Sequence, residues 1–141
     1  SRVAMIMAAM GATVRVFDPW ADPDSMPDGV KVCDDFYEVL KVSRILTLHA
    51  RANENNRHMI GAEQLAEMPA GSVLVNCARG SLVDYDAVCD AIESGHLYAA
   101  AFDCLPVAAG FQTAAHSARG PHPTRRRRIQ AGCRTCGAYC S

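Results

Sequence analysis

The stretch Leu74-Val-Asn-Cys-Ala-Arg-Gly-Ser-Leu-Val-Asp84 decides the fold of this chain. It continues an apolar run at residues 73–75 of the kind that fills a buried parallel strand. Small and polar residues end the run, and Arg79 and Gly80 follow directly. Asp84 then begins an amphipathic segment with the pattern of a helix. The sequence therefore predicts a strand, a turn that carries an arginine, and a helix.

Arg79 is the first candidate functional residue, because ligands of open α/β sheets bind at the carboxyl ends of the strands. Its planar guanidinium can hold a carboxylate through two parallel hydrogen bonds. A plainer alternative is an arginine that pairs with a nearby acid. Both interpretations fit this stretch taken alone.

Helical and strand patterns alternate over residues 1–107. Helical patterns occupy residues 1–10, 36–40, 62–68 and 84–94, and strand patterns occupy residues 13–17, 30–33, 45–48, 73–76 and 98–102. The first helix is rich in Ala, Met and Ile, so we expect it to be buried, and Gly11 and Gly95 are expected to close the first and last helices. The alternation predicts an α/β fold with parallel strands joined by right-handed helical crossovers.

Polar or charged residues end three of these strands, at Asp18, His49 and Asp103. Because parallel strands share one carboxyl edge, we expect these residues to line that edge together with Arg79. Each has a plainer interpretation. Asp18 before Pro19 is a common turn, a histidine ending a strand is often a rim residue, and Asp103 could cap the next segment.

Composition excludes several classes of protein. Half of the 141 residues are hydrophobic, which is enough for a domain with a real core. No run approaches the ~20 apolar residues of a membrane span, and no secretory signal is recognisable, so no membrane partner is expected. Four of the seven cysteines lie in apolar surroundings and are expected to be reduced core thiols of a cytoplasmic protein. They are Cys33, Cys77, Cys89 and Cys104.

Charge divides the chain in two near residue 107. Residues 1–107 hold all 15 acids and 8 of the 14 basic residues, whereas residues 108–141 hold six arginines and no acid. The second part also lacks Leu, Val and Met. A globular sequence rarely loses its commonest core and surface residues together. We therefore expect one domain over residues 1–107 and a disordered or irregular tail over residues 108–141 that is not a domain.

Four interpretations of the tail compete. Residues 125–128 are consecutive arginines that could contact nucleic-acid phosphates. Cys133, Cys136 and Cys140 could bind zinc with His122, or could be oxidised among themselves. Translation of a GC-rich gene in a shifted frame is the fourth interpretation, and it is favoured because it explains the whole composition with one event. On this interpretation we expect neither a metal site nor a nucleic-acid partner.

An ordered set of four segments connects the chain to a known family. The segments are Ser1-Arg-Val-Ala with Val16-Phe-Asp-Pro19, Leu46-Thr-Leu-His-Ala50 with Asn56-Arg-His-Met-Ile-Gly61, Val73-Leu-Val-Asn-Cys-Ala-Arg-Gly-Ser-Leu-Val-Asp84, and Ala99-Ala-Ala-Phe-Asp-Cys-Leu-Pro-Val107. In these segments the chain resembles the cofactor-binding domain of the D-isomer-specific 2-hydroxyacid dehydrogenases. The resemblance implies a Rossmann-like, doubly wound parallel sheet, NAD as cofactor, a 2-hydroxy or 2-keto acid as substrate, and the homodimer usual in the family.

The resemblance also implies roles for particular residues. Asp18, followed by Pro19, would accept both hydroxyls of the adenosine ribose and favour NAD over a 2′-phosphorylated cofactor. His49 and Ala50 would contact the cofactor, largely through the backbone. Asp103 would bind the nicotinamide carboxamide.

The remaining implied roles fall on the turn after the central strand. Cys77 and Ala78 would lie along the nicotinamide ribose. Arg79 would be the catalytic residue that holds the substrate carboxylate and polarises the keto oxygen toward hydride. In such chemistry the cofactor carries the hydride and the protein supplies orientation and charge.

Departures from the family pattern predict a catalytically incomplete chain. The glycine-rich turn and the first strand of the sheet are absent before Ser1, and Ala108 and Ala109 occupy the positions of the family's catalytic Glu and its Pro. His116 and His122, both in the tail, are the candidates for the catalytic histidine. The alternative is a non-catalytic nucleotide-binding protein of the same fold, or a nucleic-acid or zinc module that uses the tail.

Overall fold

The structure is a computed structural model that describes residues 2–104, 129–131 and 139–140. The chain divides into two compact units, Ser1–Val42 and Ser43–Ser141. Each unit contains a sheet with parallel neighbouring strands, so the sequence pattern of alternating helices and strands is realised as an α/β fold.

The first unit contains two helices and a two-stranded sheet. Its elements are α1 (Arg2–Ala9), β1 (Val14–Val16), a short 3-10 turn (Pro23–Ser25), β2 (Val30–Val32) and α2 (Phe36–Val42). β1 and β2 are parallel, with Val14 opposite Val30. Asp35 begins α2, since its carboxylate accepts a hydrogen bond of 3.0 Å from the Tyr37 N–H.

Helix α1 differs from the prediction of a buried helix. It packs against β1 and β2, but Ala4 is its only buried residue. Met5, Ile6 and Met10 are 53%, 58% and 76% exposed. An apolar composition predicts burial only if another surface covers the helix on each side, and the described residues cover α1 on one side. The predicted closing residue, Gly11, is confirmed, with a φ of +86° that suits glycine.

The second unit is built on a five-stranded sheet in the order β3-β4-β5-β6-β7. Its elements are β3 (Ile45–Leu48), α3 (Ala62–Glu67), β4 (Ser72–Asn76), α4 (Tyr85–Glu93), β5 (Leu97–Phe102), β6 (Ile129–Ala131) and β7 (Tyr139–Cys140), with 3-10 turns at Glu54–Asn56 and Gly80–Leu82. β3, β4 and β5 are parallel neighbours connected by α3 and α4. Leu48, Asn76 and Phe102 lie in one row across the three strands.

The core of this unit lies between the sheet and its helices. Asp84 caps α4 as predicted, because its carboxylate accepts from the backbone N–H groups of Asp86 and Ala87 at 3.1 and 3.3 Å. The fully or nearly fully buried apolar side chains are Leu46, Leu48, Ile60, Leu65, Met68, Leu74, Leu82, Val83, Val88, Leu97, Ala100 and Phe102. Most of them come from the strands and the helices, and the others from the turns between these elements.

Two short pieces of the tail, β6 and β7, are strands. β6 pairs in parallel with β5, and β7 pairs antiparallel with β6. The outer edge of β5 carries backbone donors and acceptors that a further strand can satisfy, whatever the composition of that strand. The other tail predictions lie outside the described residues. They concern the arginines at 125–128, the positions of Ala108 and Ala109, and the zinc ligands around Cys133.

The cysteines differ in burial more than their apolar sequence neighbours indicate. Of the four expected core thiols, only Cys33 is buried. Cys89 and Cys104 are half-buried and Cys77 is exposed. A strand end can turn its side chain out of the core even where the strand itself is apolar, which corrects the prediction for Cys77.

The helices found in the described residues are all too short for a membrane span. The longest, α4, has nine residues, and none in this part of the chain combines the length and apolar character that a bilayer requires.

Candidate functional site

The carboxyl ends of β3, β4 and β5 are level with one another. Because Leu48, Asn76 and Phe102 are in register, the residues that follow them, among them His49 and Asp103, emerge at one edge of the sheet. The Asp103 N–H donates to the Asn76 carbonyl at 3.0 Å, which extends the ladder by one residue. The sequence prediction that these strand ends share an edge is therefore realised within the second unit.

Asn76 organises the turn that carries Arg79. Its side chain is fully buried. The Asn76 Oδ1 accepts from the Ala78 N–H at 3.0 Å, and its Nδ2 donates to the Arg79 carbonyl at 2.9 Å. One amide thus satisfies a backbone donor and a backbone acceptor in a turn that has no ladder partners. The position of the Arg79 backbone depends on this side chain.

Arg79 itself is exposed at the sheet edge. Its backbone is extended, with φ −142° and ψ 140°, and it precedes the 3-10 turn Gly80–Leu82. One guanidinium nitrogen, Nη1, donates to the Ala78 carbonyl at 2.8 Å. Among the described residues no carboxylate forms an ion pair with Arg79. The guanidinium therefore keeps several N–H donors for a ligand.

An open cleft of about 620 Å³ lies between the ends of β3 and β4. Its described lining residues are His49, Ala50, Arg51, Ala52, Cys77, Ala78 and Arg79. The volume falls in the usual range of roughly 300–1,000 Å³ for small-molecule sites. The cleft therefore brings together five of the eight residues that the sequence predicted for the site.

The three other predicted residues lie elsewhere. Asp103 is exposed at the same sheet edge but does not line the cleft. Asp18 and Pro19 follow β1, which belongs to the two-stranded sheet of the first unit and not to the sheet that carries Arg79. The expectation that Asp18 lines the same sheet edge is corrected, because β1 is hydrogen-bonded to β2 and not to the strands of the larger sheet.

Asp18 occupies a turn of its own within the first unit. Its Oδ1 accepts from the Trp20 N–H at 3.1 Å, and its carbonyl accepts from the Ala21 N–H at 3.0 Å. The side chain is exposed. The turn interpretation and the ribose interpretation are compatible, since one carboxylate oxygen can fix the turn while the other meets a hydroxyl.

Two functional candidates are missing from the sequence prediction. Arg51 and Ala52 line the cleft, although the sequence places them in a polar loop. Arg51 follows the end of β3 by three residues, just as Arg79 follows the end of β4 by three, and this equal spacing is the signal that could have found it. His49 lies directly after β3. Its ring Nε2 is 3.0 Å from the hydroxyl of Thr47, and this contact holds the ring beside β3.

A tyrosine supports the segment beyond β5. The Tyr85 ring packs on Phe102 with 4.8 Å between ring centroids, and its hydroxyl donates to the Cys104 carbonyl at 2.9 Å. Burial, with a smaller contribution from the nearby Cys104 thiol, raises the pKa of Tyr85 to about 12. Tyr85 therefore stays protonated at neutral pH and acts as a fixed donor that ties the start of α4 to the end of the sheet.

Comparison with known proteins identifies the family. The sequence profile of "D-isomer specific 2-hydroxyacid dehydrogenase, NAD binding domain" matches residues 1–119. The chain belongs to this family.

Relatives of this dehydrogenase domain agree in sequence and in structure. The D-3-phosphoglycerate dehydrogenase of Methanocaldococcus jannaschii is 38% identical over 96 residues, which are 67% of this chain and 18% of that protein. The NAD-complexed D-isomer specific 2-hydroxyacid dehydrogenase of Lactobacillus delbrueckii ssp. bulgaricus is 39% identical, with a TM-score of 0.69 over 74% of this chain and 31% of that one.

A third relative has a structure with two ligands bound. The D-lactate dehydrogenase of Aquifex aeolicus, complexed with NAD and lactic acid, is 32% identical with a TM-score of 0.70 over 75% of this chain and 32% of that one. The chain thus spans about a fifth to a third of the length of these relatives. The predicted family, the Rossmann-like α/β fold and NAD as the cofactor of the domain are confirmed.

The described residues of this dehydrogenase domain are chemically suited to a dinucleotide. The cleft opens at the carboxyl ends of parallel strands, where such cofactors bind. Small side chains at Ala50, Cys77 and Ala78 allow a flat ring and a ribose to approach the backbone closely. Asp103 offers an exposed carboxylate at the same sheet edge for an amide donor.

Proposed function

We propose that this chain is the cofactor-binding part of an NAD-dependent oxidoreductase that acts on the CH–OH group of a 2-hydroxy acid. The observation that carries the proposal is the cleft itself, which places Arg79 beside His49 and Cys77 at the carboxyl edge of a parallel sheet. A dinucleotide and a small anion can both be accommodated at such an edge.

Arg79 is proposed to bind the substrate and to assist the reaction. Its guanidinium can donate two parallel hydrogen bonds to the substrate carboxylate. A remaining N–H can point at the 2-keto oxygen, where negative charge develops during reduction, and stabilise that charge. The bond from Nη1 to the Ala78 carbonyl holds the guanidinium, and the Asn76 amide holds the Arg79 backbone, so that the donors approach the substrate in one orientation.

The other predicted residues are proposed to hold the cofactor. Asp18, with Pro19 after it, would take the adenosine ribose, and Asp103 the nicotinamide carboxamide. His49, Ala50, Cys77 and Ala78 would contact the nicotinamide half of the dinucleotide through the walls of the cleft. When bound, the nicotinamide supplies or accepts the hydride.

The limits of the domain and of its activity are also proposals. We assign residues 1–107 to the NAD-binding part and regard residues 108–141 as a tail that is not a domain, on the change of composition at residue 107. Because Ala108 stands at the position of the family's catalytic Glu, this chain by itself is expected to bind but not to turn over. General acid–base assistance is worth ~10²–10⁴ in rate.

We further propose a reduced, cytoplasmic protein that assembles as a homodimer. The thiols of Cys33, Cys77 and Cys104, which form no disulfide among the described residues, support the reducing compartment. The dimer rests on the family alone.

Equilibrium binding tests the proposed function. The full chain is titrated with NADH, and then with D-lactate in the presence of saturating NAD. Arg79→Ala should weaken the binding of D-lactate by about tenfold or more, because a charge-assisted pair contributes roughly 1.5–3 kcal/mol. The affinity for NADH should stay nearly unchanged. Arg57→Ala, which removes an exposed arginine outside the cleft lining, is the matched control.

Two results would contradict the proposal. NADH that fails to bind a folded chain would reject the cofactor role. D-lactate binding that is equal in Arg79→Ala and in the control would reject the substrate role. An assay with NADH against glyoxylate, hydroxypyruvate and pyruvate completes the test, and turnover lost in Arg79→Ala would show that the chain is catalytically complete.

A further inference from the structure

The cleft holds two arginines, and the proposed function uses only one of them. Arg79 follows β4 and Arg51 follows β3, so the two arginines line the cleft from neighbouring strands. The other described lining residues are neutral alanines, a cysteine and a histidine, and none is acidic. Arg51 has no ion-pair partner among the described residues.

This concentration of positive charge contrasts with the unit that contains it. Residues 43–104 contain four arginines, no lysine and eight acids. Two of the four arginines line the cleft, while all eight acids lie outside its lining. A charge distribution that opposes the net charge of its surroundings focuses a positive potential on the cleft and favours an anionic ligand.

The loop after β3 holds the Arg51 backbone in place. The Asn56 Nδ2 donates to the Arg51 carbonyl at 2.7 Å. Asn53 and Asn56 form a reciprocal capping box around the turn Glu54–Asn56, in which the Asn53 N–H donates to the Asn56 Oδ1 at 2.7 Å. A loop fastened in this way loses less conformational entropy when its side chain engages a ligand.

We propose that Arg51 binds a second anionic group of the substrate. The cleft would then select 2-hydroxy acids that carry a further carboxylate or a phosphate, with the 2-carboxylate on Arg79 and the distal group on Arg51. The inference rests on the proposed role of Arg79. Both arginines line one cleft of about 620 Å³, so we expect a single small molecule bound there to contact both.

The experiment compares matched pairs of acids. D-malate differs from D-lactate by one carboxylate, and D-3-phosphoglycerate differs from D-glycerate by one phosphate. Each is titrated into the full chain at saturating NAD and low ionic strength, for the unmodified chain and for Arg51→Gln, Arg51→Lys and Arg57→Gln. Arg57 comes from the same loop and is exposed, but it does not line the cleft, so its variant controls for the loss of one charge.

The expected result is a preference that follows Arg51. The doubly charged acid of each pair should bind about tenfold more tightly than the singly charged one, the effect of one charge-assisted contact reduced by solvent screening in an open cleft. Arg51→Gln should bring the ratio of the two affinities close to one. Arg51→Lys should keep part of the preference, and Arg57→Gln should keep all of it. High salt should lower the ratio.

Three results would overturn the inference. The first is a ratio near one in the unmodified chain, and the second is a ratio that Arg51→Gln leaves unchanged. The third is a loss of NADH affinity in Arg51→Gln as large as the loss for D-malate, which would assign Arg51 to the pyrophosphate of the cofactor. Arg51 is exposed, so a circular dichroism spectrum should show that each variant remains folded.

The failure of the inference is distinguishable from failure of the proposed function. Arg79-dependent D-lactate binding without a preference for D-malate would retain the proposed function and reject the role of Arg51. Binding of neither acid at saturating NAD would reject both.

Discussion

Replacement of Asn76 by alanine tests whether one buried amide holds the functional turn. In the structure this side chain accepts from the Ala78 N–H and donates to the Arg79 carbonyl, at 3.0 and 2.9 Å. Alanine would remove both hydrogen bonds and leave a space of amide size at a fully buried position. We therefore expect a loss of stability and, in addition, a displaced Arg79.

The magnitude follows from the two backbone groups left behind. The Ala78 N–H belongs to a residue that is only 7% exposed, so it would lose its partner without gaining water. An unsatisfied buried polar group costs about 1–3 kcal/mol. The Arg79 carbonyl would keep the hydrogen bond that it accepts from the Leu82 N–H at 3.2 Å, and it belongs to an exposed residue, so its loss should be smaller. Together we expect a decrease of about 2–4 kcal/mol in the free energy of unfolding, out of a domain total of roughly 5–15 kcal/mol.

Urea unfolding measures this loss, and two further variants sharpen the result. Asn55→Ala removes an exposed amide from another turn and should change stability by less than about 0.5 kcal/mol. Asn76→Asp keeps the acceptor for the Ala78 N–H but places a carboxylate oxygen against the Arg79 carbonyl. Burial should raise the pKa of that carboxyl, so the variant should gain stability as the pH falls, when the protonated acid can donate again.

Ligand binding gives the second readout. If the amide positions Arg79, Asn76→Ala should lower the affinity for D-lactate by about tenfold under conditions in which the protein remains folded. A change in unfolding free energy below about 0.5 kcal/mol, combined with unaltered D-lactate affinity, would refute the claim that Asn76 organises the turn.

Three further predictions concern single side chains. Asp18→Ala should narrow the preference for NADH over NADPH in a binding titration of the full chain, because it removes the charge that repels a 2′-phosphate, and an unchanged ratio would contradict the assignment. The pKa of Glu38 lies below its ordinary value of 4.5, chiefly through its hydrogen bond with Lys31. The contribution of Glu38 to stability is therefore present above pH 4.5 and lost as the pH falls through the lowered pKa. Glu38→Gln should flatten this part of the curve of stability against pH, and a curve with the same slope would reject the ion pair. Because the pKa of Tyr85 is raised from 10.0 to about 12, its contribution is present below pH 10.0 and lost as the pH rises through about 12. Tyr85→Phe should cost about 1 kcal/mol through loss of the bond to the Cys104 carbonyl. It should also remove a tyrosine ionisation near pH 12 from an ultraviolet pH titration, and a titration that keeps this ionisation would contradict the assignment.

The succession of helices and strands was predictable because its signals are local. Apolar periodicity, the cap at Asp84 and the positive φ of Gly11 and Gly95 each depend on a few neighbouring residues. The alternation then implies parallel strands, since a helix between two strands returns the chain to the same end of the sheet. For the same reason the sequence alone assigns the residues that follow β3, β4 and β5 to one edge.

Burial and sheet membership were not predictable in the same way. Helix α1 has a core composition, yet Met5, Ile6 and Met10 are exposed. Strands β1 and β2 form a sheet separate from the one that contains Arg79. Both features depend on which elements pack or pair with one another. The composition of one segment does not show which other segment lies against it.

The site shows the same division between local and distant determinants. The sequence by itself determined that Arg79, His49 and Cys77 follow the ends of strands, because strand ends are marked by the residues around them. Only the tertiary structure decided that Asn76 turns inward to hold the Arg79 backbone, and that Arg51 enters the same cleft. The Asn76 bonds lie within the turn after β4, whereas Arg51 and Arg79 share a cleft because β3 pairs with β4. In both cases the direction of a loop side chain is set by contacts that no sequence period records.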